Sequence, residues 1–449
     1  MNPFSLRNSI VSRMLIVAVL GAVLVIPISL VTGLIQDRQH MRAEAVSEVT
    51  EKWGRQQTVT GPILTIPVKR KHKLSDGTIK PYIVHAHFLP ESLDCNAELA
   101  PSIRYRGIYR VVLYTAGLHL EAAFSAPALS ENESADSEIL WNDAFLTLGI
   151  SDLKGIKGIH KAACEDSPLT PEPGLRTKDL VQAGFTFRTP LSPGQSRFRF
   201  VLDAGLNGSE ELRFVPLGKT TQVRAHSSWA DPSFVGDFLP EERNITDSSF
   251  KASWRVLHLN RNLPHSWIGP QPNLESSSFG VKLLLQVDEY QKNWRAVRYA
   301  IMFVALTFLA FGMIDVLNRS PFHPVHYTLV GPALVLFFVL LLSVSEYRSF
   351  NTSYLVASLP NILLISAYTR GVTRRWGVTA VIAGVLVALY GFLFVLLQLE
   401  DYALLLGSMG LFVSLSLVMF LTRRIDWFGM GSGKAREEEV PGLPELPLG

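Results

Sequence analysis

The chain has 449 residues, of which 18% are charged and 48% are apolar. Soluble domains usually carry about a quarter of charged residues, so this composition indicates an apolar part diluted by an ordinary soluble part. The formal net charge of +3 is too small to indicate a nucleic-acid-binding protein. The two cysteines exclude a disulfide-dense scaffold and a four-cysteine zinc site.

The first apolar segment, residues 14–35, follows a short N-terminal stretch, residues 1–13. It contains no charged residue and reaches the length of about 20 residues that a helix needs to cross a bilayer. A signal peptide would have an apolar core of only about 7–15 residues before a small-residue cleavage site. Gln36, Asp37 and Arg38 follow instead, so we predict an uncleaved signal anchor as transmembrane helix 1.

Residues 36–298 lack long helical periodicity after the first twenty or so residues and alternate between apolar and polar side chains, as strands with one buried face do. One such run is Tyr82, Val84, Ala86 and Phe88; a longer run, residues 103–113, is predicted as a single strand. We therefore predict a large all-β, sandwich-like extracytoplasmic domain inserted between helices 1 and 2. A proline-rich stretch near residues 165–175 indicates a boundary between two halves of this domain.

Apolar runs return in the C-terminal part and predict helices 2–6 at residues 299–317, 327–344, 354–368, 377–397 and 403–421. The fold class is thus a membrane protein with a helical bundle of about six helices and a β domain. Residues 354–368 are short and interrupted by Pro360 and Asn361, which leaves a re-entrant segment open as an alternative. The proline-rich residues 422–449 are predicted to be a disordered cytoplasmic tail.

The distribution of basic residues predicts the orientation, because short cytoplasmic loops are enriched in lysine and arginine. If both termini are inside, Arg348 is the only lysine or arginine in the short outer loops. The inner segments contain Arg7, Arg13, Arg319, Arg370, Arg374, Arg375, Arg423, Arg424, Lys434 and Arg436. We predict a multi-pass protein of the bacterial inner membrane whose β domain is periplasmic.

Patterns that suggest catalysis or metal binding are incomplete. His85 and His87 lie on one side of a strand, but no third ligand is apparent in the sequence nearby, so no metal site is predicted. Ser151 and Lys154 match the Ser-x-x-Lys pattern of penicillin-interacting enzymes, and Ser130 with Asn132 and Lys219 with Thr221 loosely mimic its companion motifs. The first of these precedes the Ser-x-x-Lys pattern and Thr221 replaces a glycine, so chance explains the match better. Residues 429–435 resemble a phosphate loop but lack its first glycine and its hydroxyl. We predict no catalytic residues, no cofactor and no enzymatic activity.

Candidate ligand-binding residues lie in the β domain. Arg104, Arg106 and Arg110 are predicted to form a basic strip for an anionic envelope ligand, such as lipid head groups or glycan phosphates; an ordinary solvated strand face is the alternative. Asp237, in a turn-rich stretch, either caps a turn or contacts a ligand. Cys95 and Cys164 both lie in the predicted oxidising compartment, where a disulfide between them is chemically allowed.

The predicted bundle contains few polar residues. Asp315 and Glu346 fall near its two boundaries, and Asn361 is the main polar residue at depth. Proton-coupled transporters and pumps carry ionisable residues within the membrane. This scarcity favours packing over transport as the role of the bundle.

Several stretches, in order along nearly the whole chain, resemble the CreD family of Gram-negative inner-membrane proteins. These are residues 61–68 (GPILTIPV), 88–91 (FLPE), 106–109 (RGIY), 232–240 (PSFVGDFLP), 299–301 (YAI) with 305–308 (ALTF), 404–407 (LLLG), and 420–423 (FLTR) with 425–427 (IDW). The resemblance implies a role in envelope integrity, with links to the Cre two-component regulon, to colicin tolerance and to the stress response to β-lactams. The resemblance does not imply that the protein catalyses a reaction.

The predicted function is therefore non-enzymatic maintenance of the cell envelope, with a periplasmic β domain that binds a partner. The predicted partners are the lipid bilayer and an unidentified envelope component or membrane protein, and no nucleic acid. One alternative is a sensor or transporter subunit whose β domain gates the helical bundle. An unrecognised envelope hydrolase is a third hypothesis, which would require a cleft with converging His, Asp and Glu side chains.

Overall fold

The computed structural model describes residues 10–73, 79–125, 137–192, 197–270, 274–285, 289–318, 323–399 and 402–423. Contacts between residues divide the chain into two compact units. The helical unit comprises Met1–His40 and Asp288–Gly449, and the β unit comprises Met41–Val287. The predicted cytoplasmic tail, residues 422–449, lies outside the described residues after Arg423.

Eight α-helices are present in the described part of the chain. They are α1 Ile10–Val23, α2 Val25–Trp53, α3 Glu289–Arg298, α4 Ala300–Asn318, α5 Pro324–Ser345, α6 Phe350–Thr373, α7 Trp376–Gln398 and α8 Ala403–Thr422. Helix α2 is 29 residues long and continues well beyond the apolar segment that begins it.

Within the described residues, five helical segments are long and apolar enough to cross a membrane. The count rises to six if α3 and α4, which meet at a bend of 44°, form one span. Helix α6 is continuous for 24 residues through Pro360, so the interrupted segment considered from the sequence is a single helix. Asn361 connects this helix to α5, because its side-chain amide donates to the carbonyl oxygen of Ala333 at 2.7 Å.

Aromatic side chains fill the centre of the helical unit. Phe303, Phe337, Tyr354 and Tyr390 are buried, and the rings of Phe303 and Tyr390 lie 4.6 Å apart. The Tyr354 hydroxyl donates to the Tyr390 carbonyl at 2.7 Å, and the Asn361 amide donates to the Tyr390 hydroxyl at 3.0 Å. Both tyrosine hydroxyls and the Asn361 amide N–H group thus find partners within the bundle, which suits an apolar surrounding.

The β unit contains two sheets within the described residues. The strands are β1 Gln57–Lys73, β2 Ile79–Phe88, β3 Ser92–Arg106, β4 Tyr109–Ser125, β5 Ser137–Ile139, β6 Phe145–Ile150, β7 Ile156–Cys164, β8 Ser167–Pro168, β9 Pro171–Pro173, β10 Gly184–Arg188, β11 Arg197–Ser209, β12 Glu211–Phe214, β13 Thr220–Ser227, β14 Pro232–Gly236, β15 Glu242–Ile245, β16 Phe250–Leu257, β17 Ser266–Ile268 and β18 Phe279–Leu283.

The ten-stranded sheet has the order β14-β18-β12-β1-β6-β10-β9, with β2 and β5 also paired to β1 and β17 paired to β2. The eight-stranded sheet has the order β15-β16-β13-β3-β4-β11-β7-β8. Most pairs are antiparallel, as the sequence predicts. Two pairs, β1 with β12 and β3 with β13, are parallel, which the alternating pattern alone does not reveal.

One apolar core joins the two sheets. Alternate residues of the strands point into it, as in β16, where every second side chain from Phe250 to Val256 is buried. Phe187 of the ten-stranded sheet packs on Phe200 of the eight-stranded sheet, with ring centres 5.3 Å apart. These contacts produce the sandwich-like packing of two inner faces that the sequence predicts.

The prediction of a single strand over residues 103–113 is wrong. The chain turns at Gly107 and Ile108, so β3 and β4 form a hairpin in which Tyr105 pairs with Arg110 and Arg106 pairs with Tyr109. Gly107 has a positive φ of 59°, which glycine adopts at little cost. Apolar residues continue at odd positions after the turn, at Tyr109, Val111 and Leu113, and this pattern concealed the turn even though these residues lie on the face opposite Tyr105.

The stretch of residues 165–175 carries the chain from one sheet to the other. Strand β8 pairs with β7 in the eight-stranded sheet, and β9 pairs with β10 in the ten-stranded sheet. Strands that precede this stretch in the chain and strands that follow it contribute side chains to one hydrophobic core.

Candidate functional site

The outer face of the eight-stranded sheet is polar. In β3, β4 and β11 one set of alternate side chains enters the core, so the intervening residues face away from it. These outward residues include Asn96 and Glu98 on β3, His119 and Glu121 on β4, and Asp203 on β11. Strand β13 adds His226 to the same face by its parallel pairing with β3.

A groove with a volume of about 490 Å3 lies in this face. Its lining comprises Asn96, Ala97, Glu98, Thr115, Ala116, Gly117, Leu118, His119, Lys157, His160, Asp203, Ala204, Gly205 and His226. We call it the His119 groove. The lining combines carboxylates, imidazoles, an ammonium group and an amide, so it offers both donors and acceptors of hydrogen bonds to a polar ligand.

Two paired glycines, Gly117 and Gly205, lie in the floor of the His119 groove, and a third glycine pairs with Gly205 on the next strand. Gly117 of β4 pairs with Gly205 of β11, which in turn pairs with Gly158 of β7. A Cβ atom at Gly117 would meet no heavy atom within 4 Å, so the space above it is open. Glycine weakens a strand interior, and it commonly marks a place where another molecule or backbone approaches closely.

His119 is held between two carboxylates at the edge of the groove. Its Nδ1 atom lies 2.5 Å from Oδ1 of Asp203, and its Nε2 atom lies 3.2 Å from Oε1 of Glu121. The hydrogen bond to Asp203 is the main cause of a raised pKa of His119, and Glu121 adds to the effect. Arg199 also donates to Glu121, so the groove contains a charged network that fixes the imidazole.

A second cluster lies on the ten-stranded sheet. The Thr65 hydroxyl and Nδ1 of the buried His87 are 2.9 Å apart, and Nε2 of His87 lies 3.5 Å from Asp179. His85 shares the same Asp179 oxygen at 3.3 Å. Burial lowers the pKa of His87 to about 4, although the charge of Asp179 opposes this effect.

Asp179 was missed by sequence analysis because it lies far from His85 and His87 in the chain, and a loop brings it to them. The Asp179 carboxylate lies within ion-pair distance of both imidazoles. Within the described residues, no group of three or more His, Cys, Asp or Glu side chains has an arrangement that could hold a metal ion. The imidazole of His87 is also packed against the Trp267 ring, with centres 5.4 Å apart.

The three predicted arginines are exposed at the tip of the β3–β4 hairpin, but they do not form a strip on one face. Arg104 and Arg106 extend the outer face of β3, whereas Arg110 pairs with Tyr105 on the opposite face. Arg106 also binds the carboxylate of Glu48 on α2, with Nε and Nη2 each 2.9 Å from Oε2. The prediction of a one-faced strip is therefore wrong, since it assumed a single strand.

Asp237 is exposed and follows Gly236 at the end of β14. Its backbone N–H donates to the carbonyl of Ser278 at 3.1 Å. Gly236 has a φ of 93°, and a Cβ there would lie 2.0 Å from the Ser278 oxygen, so this turn requires glycine. The described residues give the Asp237 carboxylate no hydrogen-bonding partner, and the turn is held by the backbone instead.

The disulfide that the sequence allows between Cys95 and Cys164 is not formed, and both thiols are free. Cys95 lies on β3 and Cys164 on β7, with β4 and β11 between them. Three strand intervals of about 4.8 Å separate the two strands by about 14 Å. A disulfide requires Cα atoms within about 7 Å.

We expect both thiols to react with an alkylating reagent in denaturant without prior reduction, giving two adducts by mass spectrometry. In the folded protein Cys95 should resist the reagent, because it is buried and burial raises the pKa of its thiol to about 12. Cys164 is partly exposed and should react first. A chain that gains adducts only after reduction would contradict the structure.

The motifs dismissed during sequence analysis do not assemble into sites in the described residues. The Ser151 hydroxyl donates to the Gln56 carbonyl, while Lys154 donates to the carbonyl of Glu51. Lys219 pairs with Glu91. The stretch of residues 429–435, which resembles a phosphate loop, lies outside the described residues, as do Ser130 and Asn132.

Comparison with known proteins identifies the family. Residues 9–428 match the family described as "Inner membrane protein CreD". The chain is 33% identical over 439 residues to the inner membrane protein CreD of Escherichia coli (strain K12), covering 95% of this chain and 96% of that protein. The alignment therefore includes both the helical unit and the β unit.

The solved structures that align with this chain are too dissimilar to inform its fold or function. A Deinococcus radiodurans M1 zinc metallopeptidase aligns with 9% identity over 37% of this chain and 38% of its own, at a TM-score of 0.19. A substrate-bound mutant of that peptidase aligns with 11% identity over 74% of this chain and 94% of its own, also at a TM-score of 0.19. The family match and the relative in E. coli are the informative findings, and on them this chain belongs to the CreD family of inner membrane proteins.

Proposed function

We propose that this inner membrane protein maintains the cell envelope by binding an envelope component in the His119 groove, without catalysing a reaction. The observation that supports the proposal most directly is an open groove of about 490 Å3, lined by apolar surface and charged side chains, in which Gly117 leaves room for a ligand. The charged network around His119 adds fixed donors and acceptors at its edge. Such preorganised polar groups give a site its specificity.

We also propose a membrane topology for the chain. Both termini are cytoplasmic, residues 36–298 are periplasmic, and six helical spans hold the chain in the bilayer, with α3 and α4 together forming one of them. The excess of basic residues in the short inner segments supports this orientation. In this arrangement the His119 groove faces the periplasm, where envelope glycans, lipids and other membrane proteins are accessible. Tolerance of envelope stress, including β-lactams and colicins, is the cellular process in which we expect the protein to act.

Photo-crosslinking in live cells tests the proposal. A photoreactive amino acid at Thr115 or Glu98, which line the groove, should yield a specific adduct identifiable by mass spectrometry. The same group at Ser253, on β16 of the same sheet but outside the groove lining, is the matched control. Adducts that form at Ser253 as readily as at Thr115, or no adduct at either groove position, would overturn the assignment of the groove.

A further inference from the structure

Strand β7 carries two β-bulges where it borders the His119 groove. Its pairing with β11 skips Lys157 and His160, so each of them is one extra residue on β7. In a regular strand these two residues would point to opposite faces, because they are three positions apart. A bulge breaks this alternation and re-aims a side chain. Both residues consequently lie in the lining of the groove.

The side chains of Lys157 and His160 lie over Gly205 of β11. A Cβ atom at Gly205 would lie 3.4 Å from Cβ of Lys157 and 3.5 Å from Nε2 of His160. Glycine therefore leaves the room that these two side chains occupy, and they cover Gly205, which is buried. Gly117, the partner of Gly205 on β4, has open space above it. The groove thus has free space directly beside two basic side chains.

Lys157 and His160 are unpaired in the part of the β unit that the structure describes. Neither residue forms a hydrogen bond or an ion pair with another described residue. Both are exposed, so the Nζ group of Lys157 and the ring nitrogens of His160 are accessible to a ligand. Lys157 is therefore a positive charge that no described carboxylate offsets.

The carboxylates in the lining have partners of their own. The hydrogen bond between His119 and Asp203 raises the pKa of His119, which favours a charged imidazole beside that carboxylate. Glu98 lies with its Oε1 atom 3.4 Å from Nε2 of His226. Glu98 is also two strands away from Gly205, at about 10 Å. The β7 side of the groove is consequently its positive side.

A phosphate group complements this positive side. Lysine binds phosphate as a point charge, and hydrogen bonds to an ionised oxygen are stronger than those between neutral groups. The imidazole of His160 adds one N–H donor when it is neutral and two when it is protonated. Carboxylates, by contrast, are typically recognised by the two-pronged guanidinium group of arginine. None of the described residues that line the groove is an arginine.

We propose that Lys157 and His160 bind a phosphate group of the ligand, so that the His119 groove takes a phosphate-bearing envelope component. The phosphate lies beside Gly205, and the rest of the ligand extends over Gly117. This assignment rests on the proposed function of the groove. Such a group is available as a glycerol phosphate or as a sugar phosphate, and both present the same chemistry to Lys157 and His160.

Acylation of lysine side chains in the full-length protein, purified in a non-ionic detergent, tests the assignment. The rate at Lys157 is followed by peptide mass spectrometry, with either glycerol phosphate or glucose phosphate as the probe. We expect a probe at ten times its dissociation constant to slow this rate by about ten-fold. Glycerol and glucose at the same ionic strength should have no effect. Lys161 is the matched control, because it is exposed on the same strand but lies outside the groove lining. The probe that protects at the lower concentration identifies the source of the phosphate.

Variants separate the contributions of the two side chains. His160→Ala should raise the phosphate concentration that half-protects Lys157 by about ten-fold, because it removes a hydrogen bond to a charged group. In live cells, Lys157→Gln should lower photo-crosslinking from Thr115 by about ten-fold for the same reason. Lys157→Arg keeps the charge and should retain most of the crosslinking. Lys161→Gln should leave it unchanged, and all variants should accumulate like the wild type.

The possible failures are distinguishable. Acylation of Lys157 that neither phosphate slows, or that both phosphates slow equally at Lys161, would overturn the phosphate assignment. The same holds if glycerol or glucose protects Lys157 as well as the phosphates do. Crosslinking from Thr115 that persists in Lys157→Gln would also remove the phosphate while leaving the groove as a binding site. A wild-type chain that forms no adduct from the groove would instead overturn the proposed function, and this assignment with it.

Discussion

Gly117→Phe should abolish ligand binding by the β unit while leaving its fold intact or slightly more stable. Gly117 is an outward residue of β4, and a Cβ atom there meets no heavy atom within 4 Å. Glycine costs a strand about 0.5–1 kcal/mol relative to alanine, and aromatic residues favour strands. The benzyl group would, however, fill the floor of the His119 groove.

We expect groove crosslinking from Thr115 to fall at least ten-fold, and envelope-stress tolerance to fall to the level of a strain without the protein. Gly117→Ala is the matched control, because it also removes the backbone freedom of glycine but adds only a methyl group. Ser253→Phe places the same ring on β16, outside the groove lining. Both controls should retain crosslinking and tolerance. Full activity of Gly117→Phe would remove the groove from the mechanism.

The helical unit provides the test of the transporter hypothesis. Asn361 is buried and bonded to Ala333 and Tyr390, so Asn361→Leu removes a polar group from the centre of the bundle. If the bundle only anchors the β unit, this variant should preserve tolerance once normal insertion and accumulation are shown. Loss of tolerance with Asn361→Leu, together with full tolerance of Gly117→Phe, would favour transport.

The general architecture could be predicted because it rests on local patterns. Charge-free runs such as residues 377–397 indicate spans, and alternation such as that of Phe198, Phe200 and Leu202 indicates strands with one buried face. The turn at Gly107 was missed for the same reason. The two-residue turn changes which alternate residues face the core, but Val111 and Leu113 on the other face are also apolar and buried, so apolar residues continue at odd positions and resemble one long strand.

The candidate site could not be predicted because it depends on register between distant strands. Asp203 meets His119 across 84 residues of sequence, and the two are neighbours only because β4 and β11 pair in one particular register. The same register aligns Gly117, Gly205 and Gly158, which are unremarkable as separate glycines. A single amino-acid sequence does not show which distant strands pair or in which register, whereas the alternation of side chains is visible within every strand.

Acidification should destabilise the β unit through His87. This imidazole is buried, and burial lowers its pKa from 6.5 to about 4. Between these two values the unfolded chain takes up a proton that the folded chain excludes, so the free energy of unfolding must fall as the pH falls through this window. Each pKa unit corresponds to 1.36 kcal/mol, which makes the full loss about 3 kcal/mol between neutral pH and pH 4.

Other histidines titrate as well, and one acts in the opposite direction. The pKa of His119 is raised, first by its hydrogen bond to Asp203, so the stability it contributes is present at low pH and is lost as the pH rises through that raised value. His119 is partly exposed, and solvent screens its contribution. The effect of His87 must therefore be isolated by comparison with a variant.

His87→Gln should remove about 3 kcal/mol of pH dependence, because glutamine is polar but does not ionise. Urea unfolding of the full-length protein in detergent, followed by pulsed hydrogen exchange of peptides from β2, measures the free energy at each pH. His226→Gln is the control, since the His226 side chain is 51% exposed and should leave the pH dependence unchanged. Asp179→Asn removes the carboxylate that favours a charged His87, so it should preserve or enlarge the loss of stability in acid. Parallel stability curves for the wild type and His87→Gln between pH 7 and 4 would show that this imidazole does not couple folding to protonation.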